Sequence, residues 1–172
     1  MTTATSAQNE QAEQILASVE EKYGFRPNLI EELVTAPAAA QVYLRGQDAM
    51  ADSSLTPAQQ QAVQLAVATH NECHYCDAAH ATLGQQSGIA SEDIAAIRNG
   101  ELPNDGDLRG VVSATRRVLN ERGWLDAADL EELSAGGVDR RALYEIVAFV
   151  ALKTLSNYVN HIADTEIDPE FS

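Results

Sequence analysis

Apolar residues along this chain recur three and four positions apart, and nowhere do they alternate over a sustained run. That period belongs to helices with one buried face rather than to strands. A first helix fits residues 11–23, with Ile15, Leu16 and Val19 on one side and Gly24 and Pro27 as stop and turn. Residues 28–34 read as a short helix limited by Pro37, and 38–50 as another, with Val42, Tyr43 and Met50 apolar and Gly46 a weak point. Thr56-Pro57-Ala58-Gln59 is the clearest start signal: a threonine cap, proline in the first helical position and a glutamine to close a capping box. From it a helix runs to about residue 70, with Val63, Ala66, Val67 and His70 spaced for a buried stripe. Asn71 is the expected cap of the next helix, which carries both cysteines, continues through Leu83 to about Gln86 and stops before Gly88. Ser91 caps a short helix through Arg98, and 107–121 keeps helical spacing up to Gly123. Asp126 caps 127–133, and Asp139 caps the longest helix, which reaches about residue 163. That last helix is apolar nearly all round, which predicts a central place or a subunit contact. The chain is thus predicted to be an all-α single domain over residues 11–172, a helical bundle preceded by a flexible polar tail over 1–10.

Composition narrows the function. With 172 residues and 45% hydrophobic content, one domain can bury a sizeable core without staples. Aromatic residues make up only 5%, so alanine and leucine fill that core, which suits helices. A net charge of −15 repels phosphate backbones and anionic lipid, which argues against nucleic acid as a partner. No run approaches the roughly 18 apolar residues of a membrane span, and residues 1–13 lack the basic start and apolar centre of a signal peptide. The expectation is a cytoplasmic protein with no membrane partner. In that reducing compartment a cysteine pair is more often catalytic or metal-binding than structural.

Both cysteines and three of the four histidines fall within residues 70–80. On a helix, Cys73, Cys76 and His80 share one stripe, because residues three and four apart are neighbours. The thiolate is the nucleophile, and a free thiol is mostly protonated at neutral pH. A helix N-terminus favours the anion, and an imidazole one turn away takes or relays the proton. Two thiols three apart also close on each other, so one can attack a peroxide or disulfide and the other resolve the intermediate. Two other readings stand beside this one. The pair can be small buried hydrophobes with a hydrogen-bonded core histidine. Or His70, Cys73, Cys76 and His80 can hold zinc, which requires a backbone break near Glu72 to bring four ligands together.

Leu55-Thr56-Pro57, then 61–68, then Cys73-His74-Tyr75-Cys76-Asp77-Ala78-Ala79-His80 resemble the core of the alkyl hydroperoxidase D and carboxymuconolactone decarboxylase family. Pro27-Asn28-Leu29, the turn from Asn99-Gly100 to Asp107, and residues 157–168 are similar to its peroxidase-related branch. The resemblance implies an all-helical protomer in homo-oligomers, trimers or hexamers, with a thiol site that reduces small organic hydroperoxides. It implies an electron supply from a thiol or dithiol reductant, and no cofactor or metal beyond a redox-active Cys73–Cys76 disulfide. Carried over, Cys76 attacks and becomes a sulfenic acid, Cys73 resolves, and His80 relays protons. The family's glutamate falls at Gln61, which hydrogen-bonds but carries no proton. The family's histidine before the second cysteine is Tyr75 here, with His74 one place earlier. His161, with Asn157 one turn before it, is a candidate for the missing polar group. Alternatives on the same scaffold are a lactone decarboxylase or another non-redox enzyme, and a redox-sensing or metal-held oligomeric module. A decarboxylase needs a cation for its anionic substrate, and none of the 11 lysines and arginines is expected near the cysteines.

Overall fold

In the computed structural model, which describes residues 6–171, the Thr56 signal starts the helix on which the others pack. The helices are α1 (Ser6–Tyr23), α2 (Asn28–Leu33), α3 (Pro37–Met50), α4 (Pro57–His70), α5 (His74–Gln86), α6 (Ser91–Arg98), α7 (Gly106–Glu121), α8 (Ala127–Ala135) and α9 (Arg140–Ala163). A turn of 3-10 helix, Pro169–Phe171, follows, and no strand occurs among the described residues. The all-α prediction therefore holds. Thr56 Oγ1 accepts the Gln59 N–H at 3.3 Å and Gln59 Oε1 accepts the Thr56 N–H at 2.9 Å, which satisfies two donors that would otherwise be orphaned ahead of α4. Asp105, Asp126 and Asp139 cap α7, α8 and α9 in the same chemical manner.

Residues 62–68 of α4 are buried on every side. They face α5, α6, α7 and α9 in turn, so α4 is the axis of the bundle. One apolar cluster lies on the side of α6, α7, α8 and the first half of α9, around Leu65, Ile97, Val112, Ile146 and Phe149. A second joins α1, α2 and α3 to the start of α5, around Leu29, Ile30, Leu33 and Tyr43, and it contains both cysteines. Gly46 has Leu152 packed against it, so a hydrogen for a side chain lets α3 press onto α9.

Several boundaries differ from expectation. The first helix begins at Ser6, so residues 6–10 of the expected tail are helical; residues 1–5 of it lie outside the described residues. Ser91 is the first residue of α6 rather than its cap, which is Ala90. Asn71 ends α4 instead of capping α5. Glu72 takes a left-handed φ of 56°, and the Cys73 N–H bonds back to Ala68 O at 2.9 Å, the pattern that closes a helix. Cys73 becomes the N-cap of α5 in consequence.

By length and composition α9 is apolar enough to cross a membrane, the one described helix of that kind. It packs on α2, α3, α4, α5 and α7, which is the first of the two expectations, a central place or a subunit contact. Its buried stripe turns polar past Phe149: Lys153, Ser156, Asn157 and Asn160 all face inward.

Candidate active site

The break at Glu72 sets the thiol geometry. It ends α4 and restarts the chain as α5, with Cys73 at the cap and Cys76 in the first turn, where free N–H groups favour an anion. Both cysteines are free thiols, buried and hydrogen-bonded to each other. One turn on, His80 is buried as well, and Gln61 reaches it from α4, with Gln61 Oε1 2.8 Å from His80 Nδ1. The four residues singled out in the sequence thus lie in one cluster.

The polar stripe of α9 completes it. Asn160 Nδ2 donates to Cys76 Sγ at 3.3 Å and lies 3.8 Å from Cys73 Sγ. Ser156 Oγ is 3.8 Å from Cys76 Sγ. Asn157 accepts from Asn71 Nδ2 at 2.9 Å, tying the end of α4 to α9. Lys153, 1% exposed, points its Nζ at three groups: His80 Nε2 at 2.7 Å, Tyr43 Oη at 3.3 Å and Cys76 Sγ at 4.0 Å. The expectation that no cation lies near the cysteines is therefore wrong. Lys153 is 77 residues from Cys76 along the chain, and only the docking of α9 on α5 brings it in.

Charge follows from these contacts. The hydrogen bond from Cys73 pulls the Cys76 thiol down, burial opposes it, and the charge of Lys153 with the nearby Ser156 hydroxyl leaves it at about 5. Cys73 moves the other way, pushed up by the hydrogen bond it gives to Cys76 and by burial. Burial and the neighbouring Lys153 charge hold His80 well below the ordinary histidine range. Burial works against the Lys153 ammonium, but the Cys76 thiolate and the hydrogen bond to Tyr43 outweigh it and the net effect is upward. At neutral pH the cluster is a Cys76 thiolate, a Cys73 thiol, a neutral imidazole and an ammonium.

Cys76, His80, Gln61, Lys153 and Tyr43 sit at the base of a cleft of about 760 Å³. Its walls are largely apolar, with Phe25, Leu29, Ile30, Leu44, Leu83 and Phe171 prominent. Phe171 is held there by the segment after α9. Tyr75 donates its hydroxyl to the Asp168 carboxylate, which also accepts the Asn28 N–H at 3.1 Å, and Phe171 packs edge-on to Phe25 and Tyr75. Tyr75, one residue before Cys76, thus anchors the terminal segment beside the cleft mouth.

The remaining candidates stand apart. His161 is exposed against Tyr158 and does not supply the missing polar group; Asn157, named with it, lies within the cluster. His70, Glu72 and His74 are exposed. Although the chain does break at Glu72, no three histidine, cysteine or acidic side chains among the described residues converge as metal ligands. Sequence reading missed Lys153, Ser156 and Asn160. The available signal was four polar residues at helical spacing, 153, 156, 157 and 160, following the apolar run 146–152 of the same helix.

Residues 37–110 match the model of the carboxymuconolactone decarboxylase family. No curated protein matches the chain. Among solved structures, a peroxidase-related protein with an alkylhydroperoxidase AhpD core from Ralstonia eutropha JMP134 is 22% identical, with a TM-score of 0.82 over 94% of this chain and 87% of that one. A peroxidase-related protein from Silicibacter sp. TM1040 is 17% identical, with a TM-score of 0.81 over 94% and 87%. The debrominase Bmp8, in a cysteine-to-alanine form complexed with 2,3,4-tribromopyrrole, is 16% identical, with a TM-score of 0.73 over 99% and 95%. At these identities the likeness establishes the fold. The matched stretch contains Gln61, Cys73, Cys76 and His80 and ends well before Lys153.

Proposed function

For a chain that carries the carboxymuconolactone decarboxylase family match over residues 37–110 and folds as the AhpD core does, we propose a thiol peroxidase that reduces small organic hydroperoxides. The observation that carries this reading is the Cys76 sulfur, placed in the first turn of α5, hydrogen-bonded by Cys73 and set at the base of an apolar cleft. The Cys76 thiolate attacks the terminal peroxide oxygen; an S–O bond forms, the O–O bond breaks, and the alcohol departs with a proton. Cys73 then attacks the sulfenic sulfur, giving the Cys73–Cys76 disulfide and water. A thiol or dithiol reductant restores the pair. Peroxide is the oxidant throughout, and no cofactor is required.

Mass-spectrometric titration of thiols during exposure to an organic hydroperoxide, with and without dithiol, tests this. Expected are a Cys73–Cys76 disulfide, turnover only with reductant, and loss of turnover by at least about a hundredfold in Cys76→Ser. Peroxide that consumes no thiol would sink the proposal. A bromopyrrole belongs in the same assay, because the debrominase Bmp8 shares the fold. The buried Lys153 removes the objection to a lactone decarboxylase on this scaffold, and activity surviving in the double Cys→Ser protein would favour that reading.

A further inference from the structure

Lys153 lies outside the matched stretch and touches both the imidazole and the nucleophilic sulfur. We infer that Lys153, and not His80, carries the positive charge of this thiol site and gives its proton to the departing oxygen, with Gln61 fixing His80 as a neutral acceptor. The inference deepens the peroxidase reading and rests on it only for the transfer step.

The argument is one of donors and acceptors. An ammonium has three N–H groups and no lone pair. His80 Nε2, 2.7 Å from Lys153 Nζ, must then present its lone pair, so the ring hydrogen is on Nδ1. That hydrogen needs an acceptor, and Gln61 Oε1 is 2.8 Å away. A glutamate at 61 would instead favour the imidazolium, whose Nε2–H would meet the Lys153 ammonium at hydrogen-bond distance, donor against donor and charge against charge. An amide at 61 and a lysine at 153 therefore belong together. Among the described residues the imidazole hydrogen-bonds Gln61 and Lys153, whereas Nζ stands 4.0 Å from Cys76 Sγ. The titratable groups facing Nζ are Tyr43 from α3 and Cys73, Cys76 and His80 from the start of α5. Only the Cys76 thiolate is negative, so the ammonium is the charged form that pairs.

In the reaction the S–O bond forms as the O–O bond breaks, and the alkoxide takes a proton from Lys153, leaving a neutral amine. When Cys73 attacks the sulfenic acid, its own proton leaves with the hydroxide as water. Reduction of the disulfide by an external dithiol releases one proton beyond the Cys73 thiol, and that proton restores the ammonium.

The test is the pH dependence of Cys76 alkylation in Lys153→Met, Lys153→Arg and His80→Gln, together with long-range proton–nitrogen NMR of His80 in the unaltered protein. Lys153→Met is expected to lower Cys76 reactivity at pH 6 by about twofold to tenfold, as an upward shift of about one to two pH units on loss of the opposite charge implies, with Lys153→Arg restoring most of it and His80→Gln changing it far less. His80 is expected to remain neutral with its proton on Nδ1 from pH 5 to 8. Loss in His80→Gln with none in Lys153→Met, or an imidazolium titrating in that interval, overturns the assignment. The NMR arm stands even if a variant fails to fold. Neither arm uses peroxide, so failure of this assignment is separable from failure of the peroxidase reading.

Discussion

Cys76 owes its charge to groups from two helices: the Cys73 thiol and the first turn of α5 on one side, Lys153 and the amide of Asn160 on the other. Because its folded pKa lies below the ordinary thiol range, ionised Cys76 contributes stability that is fully present above that range and is lost as pH falls through about 5. Reactivity follows the same limb, so alkylation should hold at pH 6 to 7 and fall by half near 5. Asn160→Asp keeps the shape and replaces the N–H donor 3.3 Å from the sulfur with a carboxylate oxygen. The alkylation midpoint should move up by about one pH unit or more. An unchanged midpoint would mean that Asn160 does not hold the thiolate. Cys73, Cys76 and His80 were legible in the sequence because their spacing needs only local helix geometry, whereas Gln61 was singled out through the family resemblance alone. Lys153 was not, since nothing in a linear pattern says which turn of a later helix meets the sulfur.

At the scale of elements, the decisive feature is the join between α4 and α5. A continuous helix would have placed Cys73 and Cys76 among bonded N–H groups; the left-handed Glu72 instead opens a new N-terminus at Cys73. A non-glycine residue at φ 56° is strained, typically by about 1 kcal/mol or more, and Glu72 is exposed, with its side chain facing solvent. Glu72→Gly should therefore raise the stability by about 0.5 to 1 kcal/mol in chemical denaturation and leave Cys76 reactivity unchanged. Destabilisation would show that the Glu72 side chain holds the turn. Both helices are legible in the sequence, and the zinc reading requires a break near Glu72, but the expected cap at Asn71 is instead the end of α4. Asparagine is a strong candidate for either role, and the closing bond from Cys73 N–H to Ala68 O decides the matter.

For the whole molecule, α9 is turned inside out over its second half. It buries Lys153, Ser156, Asn157 and Asn160 and leaves Tyr144, Val147, Tyr158 and Ile162 exposed, the last at 88%. Those four lie within one helical stripe spanning about 27 Å, at 1.5 Å per residue. At a net charge of −15, copies of this chain repel, so the homo-oligomer proposed from the family resemblance needs apolar area of this kind. Sedimentation should then give a trimer or hexamer for the protein and a shift toward monomer for Ile162→Glu. An oligomer unmoved by that change would place the contact elsewhere. The same helix shows why apolar length alone does not predict a membrane span: its polar stripe faces inward, with Lys153 and Asn160 hydrogen-bonded to the thiol cluster inside the bundle.

Local forces settled the helices, their caps at Thr56, Asp126 and Asp139, and the neighbourhood of Cys73, Cys76 and His80, because capping and helical spacing act over four residues and are written directly in the chain. The cation beside the sulfur, the partners of His80, the place of Tyr43 and the terminal segment latched to Tyr75 were decided by tertiary packing alone. Each depends on how α3, α5, α9 and the terminal turn cross, and crossing geometry comes from the fit of whole surfaces, to which no single stretch of residues holds the answer.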